Sequence, residues 1–302
     1  MRADYNPDFE MRPGYGIVLR LIAILLLSSM VMLVKVASDM GVHSLESLFY
    51  RFSIGFLFIV FWMAFRGELA SVKTKRLPLH VFRTFCGVIS MALSFYAATL
   101  LPLPEFATIS FTMPIIMTIL SIIFLKEVVR FKRWTAMIIG LIGVLIVVQP
   151  GQNQISLTGA LMALGGVIAA SYTLILVKHL STTESSTVIV FWYTLLAIPA
   201  AGIAMFFVAK SHKPIVWLIM VGIGLFGAIG QVALAESLKF APISLTAPID
   251  YSNLLWSTAY GYLIWEYWPG ASMWIGAPII IAAGLYVARR SESTKKTACR
   301  MS

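Results

Sequence analysis

The most constraining feature of this chain is its unbroken apolar runs, such as "LIAILLL" (Leu21 to Leu27) and "MIIGLIGVLIVV" (Met137 to Val148). A strand spanning a membrane alternates apolar and polar residues over about ten positions. These runs do not alternate, so they read as helices that satisfy their own backbone groups within lipid, needing about 20 residues to cross. A soluble core is excluded by balance: 59% of the 302 residues are hydrophobic and 12% charged, with mean hydropathy +0.88. Soluble domains carry about 25% charged residues.

The runs place ten transmembrane helices at 16–38, 46–65, 79–101, 104–125, 131–149, 156–178, 186–209, 214–238, 241–264 and 271–289. No cleavage pattern follows the first, which reads as a retained anchor. The net charge of +10 does not point to nucleic acid, because its distribution follows the spans. Of the 23 Lys and Arg, only Lys35, Arg51, Lys210 and Lys213 fall on one side. Arg20 and Arg83 are among those on the other. The positive-inside bias therefore puts both termini in the cytoplasm. Arg51 and Arg83, near span starts, are expected to snorkel toward headgroups.

An internal repeat organises the chain. "LLLSSMVMLVK" (25–35) aligns without gaps to "IAASYTLILVK" (168–178), and "LKE" ending at Glu127 matches "IWE" ending at Glu266. This predicts a five-helix repeat over 16–149, a linker at 150–155 and a second repeat over 156–289. A cytoplasmic segment (1–15) and a basic tail (290–302) flank them. Five being odd, the second repeat enters the bilayer inverted. Inverted repeats build secondary transporters with a midplane site at the repeat interface. The fold class expected is all-α membrane protein, ten helices around a central cavity.

Polar residues inside the spans are the candidate site. Asp250 lies roughly 13 Å into the ninth span at ~1.5 Å per residue. An ionised carboxylate there costs about 2.5–3.5 kcal/mol on insertion scales. It must face a wet cavity, pair with something or be protonated. Thr246, Asp250, Asn253, Ser257 and Tyr260 form one helical stripe, expected to face the bundle interior. Pro248 and, in the first half, Pro114 remove backbone donors and free the carbonyls of Ser244 and Ser110. Ser110 aligns with Asp250. Gln231 shares a small-residue face with Gly224 and Gly227. Ser28 and Ser29 match Ser171 and Tyr172 across the repeat. Tyr96, Trp192, Tyr193, Tyr251 and Trp256 are candidates for an aromatic-walled pocket, or for core and interfacial belt. Small residues at 90, 94 and 98 read as close helix packing. Glu127 and Glu266 are expected to fix span-ending turns.

The stretches "LPEFATISFTMPIIMTILSIIFLKE" (Leu103 to Glu127) and "APIDYSNLLWSTAYGYLIWEYWPGASMWIGAPIIIAAG" (Ala247 to Gly284) resemble the drug/metabolite transporter superfamily, specifically its ten-span EamA-type proteins. The resemblance covers about 16–290. Arg51 matches an arginine common in the family's second span. Asn253 stands where the second repeat often has proline, and no second-half arginine matches Arg51. The second-half pattern is most similar to bacterial carriers of S-adenosylmethionine or riboflavin. The resemblance implies a bacterial inner-membrane carrier of a small metabolite, which is amino-acid-like, S-adenosylmethionine-like, riboflavin-like or metallophore-like. Within it, Asp250 is expected to exchange a proton or hold a cationic group of the solute. Asn253, Gln231 and Ser28 would supply hydrogen bonds, with Tyr96, Tyr251 and Trp192 flanking its body.

The chain is expected to need no cofactor or metal, bind membrane lipids but no nucleic acid, and act as monomer or homodimer. An intramembrane enzyme is the weaker alternative, since no His-Glu-x-x-His, Gly-x-Ser-x-Gly or P-loop pattern occurs. Cys86 and Cys299 suggest neither a disulfide framework nor a thiolate metal site. A lipid flippase or non-transporting scaffold is the other alternative.

Overall fold

The computed structural model describes residues 13–67, 72–113, 115–117, 119–120, 131–148, 156–180, 183–240, 249–283 and 286. Helices occur in the neighbourhood of every predicted span: α1 (Pro13–Asp39), α2 (Ser44–Phe65), α3 (Leu77–Leu100), α4 (Leu103–Ser110), α5 (Phe131–Val148), α6 (Leu157–Leu180), α7 (Ser186–Phe206), α8 (Pro214–Phe240), α9 (Asn253–Trp265) and α10 (Ala271–Ala283). Among the described residues, six are long and apolar enough to cross a membrane: α1, α2, α3, α6, α7 and α8. Pro114, Pro248, Thr246 and Glu127 lie outside the described residues.

Local chemistry sets the helix ends. α1 stops at Gly41, whose φ of +86° an L side chain rarely adopts, and the Val42 N–H closes the end on the Ala37 carbonyl at 3.0 Å. α2 starts with a capping box: the His43 ring accepts from the Leu45 N–H, while Glu46 accepts from the His43 N–H. α9 ends at Glu266 in the left-handed region (φ 51°), with the Tyr267 N–H on the Gly261 carbonyl. Glu266 thus sits in a span-ending turn.

The bundle is apolar outside and buries polar and charged groups within a largely apolar core. Phe61 is 70% exposed and Phe206 84%, whereas Ser28, Glu46, Arg51, His80, Arg83, Glu105 and Ser171 are buried. In water this would be an aggregating surface. In lipid it is the arrangement expected, because tails give no drive to bury leucine while polar groups seek one another. α1 packs along α8, α3 along α6, α2 against α7 and α8, and α4 against α9. The expected close packing of α3 is present: Ser90 Oγ donates to the Gly166 carbonyl at 2.8 Å, and a Cβ on Gly166 would lie 2.7 Å from Ser94 Oγ. Helices α2 and α8 meet at Gly224, where a Cβ would lie 2.4 Å from Ile54 Cβ.

Two clasps tie the bundle at its ends. Glu184, after α6, accepts from the Thr74 hydroxyl and meets His80 Nε2 at 2.5 Å. Glu46, opening α2, meets His212 Nε2 and accepts the Lys210 N–H at 3.1 Å. Lys35 Nζ reaches the Leu101 carbonyl at 2.7 Å and the Ala98 carbonyl at 3.2 Å, placing a cation at the carbonyl end of α3. After α9, Tyr267 Oη donates to the buried Glu105 carboxylate at 2.5 Å. Burial and this carboxylate push the Tyr267 hydroxyl well above the ordinary phenol range.

Candidate functional site

The polar stripe of the ninth span faces α1. Asp250 takes both ends of a planar fork: Arg20 Nε donates to Oδ1 at 2.6 Å and Nη2 to Oδ2 at 2.6 Å. Further along, Ser28 Oγ donates to Asn253 Oδ1 at 2.5 Å, and the Ser29 and Tyr260 hydroxyls meet at 2.7 Å. Trp265 Nε1 donates to Asp39 at 2.7 Å beyond them. Sequence separations of 230, 225, 231 and 226 show two helices running parallel. Ser257 donates back to the Leu254 carbonyl of its own helix.

Of the three ways to tolerate an intramembrane aspartate, the structure uses pairing without sealing the pair off. The Arg20 side chain is 13% exposed and that of Asp250 41%. Bidentate, charge-assisted geometry is the strong form of such a contact. The carboxylate is not enclosed by the bundle. Arg20 had the appearance of an orientation charge near a helix start; it is the partner the aspartate required. Ser28→Ala tests the next rung of this seam. Leaving the Asn253 oxygen without its donor should destabilise the protein by about 1–2 kcal/mol, read as a lower thermal midpoint in detergent, with Thr173→Val as a hydroxyl-deleting control outside the seam.

The other expected site residues divide. Tyr251 packs its ring edge against Phe111 at 4.9 Å, beside Ser110, whose hydroxyl donates to the Phe106 carbonyl at 2.9 Å. Gln231 lines a separate void between α2, α7 and α8 with Arg51 and Thr194. Three residues lie away from the seam. Tyr96 is exposed on α3, Tyr172 meets Phe82 edge-on at 6.0 Å, and the Trp192 indole donates to the Val72 carbonyl at 2.9 Å beside His80. Tyr193, by contrast, is buried at the meeting of α2, α3 and α7.

Arg51 and Arg83 do not snorkel. They are 3% and 6% exposed, and each lays its guanidinium on an aromatic ring, Arg51 on Phe52 (4.9 Å) and Arg83 on Tyr193 (3.7 Å). Position near a span start leaves the direction of a long side chain open. Here the rings draw both inward. Among the described residues no group of three His, Cys, Asp or Glu could hold a metal ion.

A helical bundle with exposed apolar flanks, buried polar groups and a charged seam between helices defines a polytopic membrane protein. The chain belongs to the EamA-like transporter family, which it matches over residues 14–149 and again over 157–289. It is 28% identical to a riboflavin transporter of Vibrio cholerae over 249 residues, covering 82% of this chain and 83% of that one. A pseudopaline exporter of Pseudomonas aeruginosa is 25% identical over 278 residues (91% and 96%). An S-adenosylmethionine uptake transporter of Rickettsia bellii is 26% identical over 249 residues (81% and 84%). A protein of known crystal structure shares the fold, with TM-score 0.64 at 18% identity over 91% of this chain and 97% of that one.

Proposed function

We propose that the protein is a secondary transporter moving a small organic metabolite across the bacterial inner membrane by alternating access. The observation that carries this reading is the Arg20–Asp250 fork, an ion pair made between the two halves of the chain and not fully buried. Family membership and the relatives' names support a transported metabolite of the riboflavin, S-adenosylmethionine or metallophore kind; amino-acid-like solutes fit the same chemistry. Asp250 exchanges a proton or receives a cationic group of the solute as Arg20 lets go, while Ser28 and Asn253 offer hydrogen bonds one to two turns further along.

The architecture proposed with it is ten spans in two inverted five-helix repeats, with both termini in the cytoplasm. Two observations support it. The family matches the chain twice, in halves of similar length. The most extensive helix contacts also exchange when each helix is replaced by the one five places on: α1–α8 becomes α6–α3, while α2–α7 and α4–α9 map onto themselves.

The test is a stabilisation screen of the purified protein against amino acids, nucleoside-like cofactors and flavins, followed by flux into liposomes. A solute at 100 times its dissociation constant adds about 2.7 kcal/mol, a plain shift in melting. The expected result is one class that both stabilises and crosses. Stabilisation by none of them, with no flux, would refute the carrier reading.

A further inference from the structure

We propose that Arg51 and Arg83 form a binding site for an oxyanion, the carboxylate or phosphate of the transported solute, distinct from the Arg20–Asp250 seam. The two guanidiniums are buried between α2, α3, α7 and α8 around one aromatic pair: Arg83 lies on the Tyr193 ring at 3.7 Å, Arg51 on Phe52, and Phe52 meets Tyr193 edge-on at 5.2 Å. The packing is shaped around that ring. A Cβ on Gly87, one turn beyond Arg83 on α3, would stand 2.8 Å from Tyr193 Cε2.

The charge is compensated incompletely. Aromatic faces attract a cation but accept few of its N–H groups. Arg51 Nε and Arg83 Nε and Nη1 are buried with no hydrogen-bond partner, and among the described residues neither arginine forms an ion pair. An unpaired buried charge is among the most costly features a fold can carry, so two packed on one aromatic pair call for an anion. The group that fits planar N–H forks is a carboxylate or phosphate.

The space beside Arg51 is small. Arg51 lines a void of about 10 Å³ together with Thr194, Gln231 and Gly227. That is room for about one water, so binding an oxyanion there requires α2 and α7 to separate. Such movement belongs to the alternating-access reading, and the assignment to the transported solute rests on it.

The experiment measures thermal unfolding of the full chain in detergent with succinate or inorganic phosphate, against chloride at matched ionic strength. The wild type should melt higher with at least one oxyanion. Arg51→Gln/Arg83→Gln should lose that shift while melting no lower than wild type in chloride, because it removes uncompensated buried charge; a purely structural pair predicts a large drop instead. Arg51→Lys, which keeps charge but loses the fork, should fold and weaken apparent oxyanion affinity at least fivefold, covering the case in which the double variant fails to fold. No oxyanion shift in wild type, or a shift that survives these variants, overturns the site. If flux in liposomes persists while oxyanion binding is absent, this site alone fails; if oxyanions bind but nothing is transported, the carrier reading fails and a bound-anion site remains.

Discussion

Asp250→Asn should cut solute flux in proteoliposomes at least tenfold and lower folding stability by about 1.5 kcal/mol, the low end for hydrogen bonds to charged groups because the carboxylate is partly solvent-screened. The reason lies in the fork. Asparagine cannot accept on both arms, and Arg20, 13% exposed, loses its counter-charge. Removing one member of a pair is worse for the fold than removing both. Arg20→Gln/Asp250→Asn should therefore melt closer to wild type than Asp250→Asn does, yet remain inactive. Flux unchanged in Asp250→Asn takes the aspartate out of the mechanism. Flux restored in the double variant gives the pair a purely structural role.

Gly224→Ala should cost about 1–3 kcal/mol, toward the upper end of the range for overpacked cores. The new methyl would sit 2.4 Å from Ile54 Cβ, 2.7 Å from its Cγ2 and 3.2 Å from the Tyr50 carbonyl. A Cβ and a backbone oxygen cannot rotate aside, so α2 and α8 must separate. Gly14→Ala in α1, with nothing within 4 Å, is the control, and it should be neutral or gain slightly from helix propensity. Both are read as thermal midpoints in detergent. A Gly224→Ala protein as stable as wild type would mean that the helices are less tightly apposed than described.

Helix positions could be read from the chain because lipid imposes a long, continuous apolar signature. The stripe from Asp250 to Tyr260 could be read because i, i+3, i+4 spacing marks one face. Its partner could not: Arg20 sits 230 residues away, where a basic residue near a helix start signals orientation equally well. Arg83 is hard to place for the same reason, whereas Arg51 rests on its neighbour Phe52. A flexible cationic side chain goes to headgroups or inward according to which rings lie beside it, and Tyr193 comes from a helix more than a hundred residues further on. Trp192 and Tyr96 illustrate the converse. Aromatic character alone gave no direction, and the Trp192 indole serves a loop carbonyl near the His80 clasp.

The seam between α1 and α9 has a consequence for biogenesis. Its contacts join groups some 230 residues apart, so at ~5–20 residues per second of synthesis the first helix waits about 10–50 s before its partner exists. During that interval Arg20, Ser28 and Ser29 must be sheltered by water, by the insertion machinery or by earlier-made helices. A ribosome-stalled chain ending before residue 250 holds Arg20 without the carboxylate that pairs it.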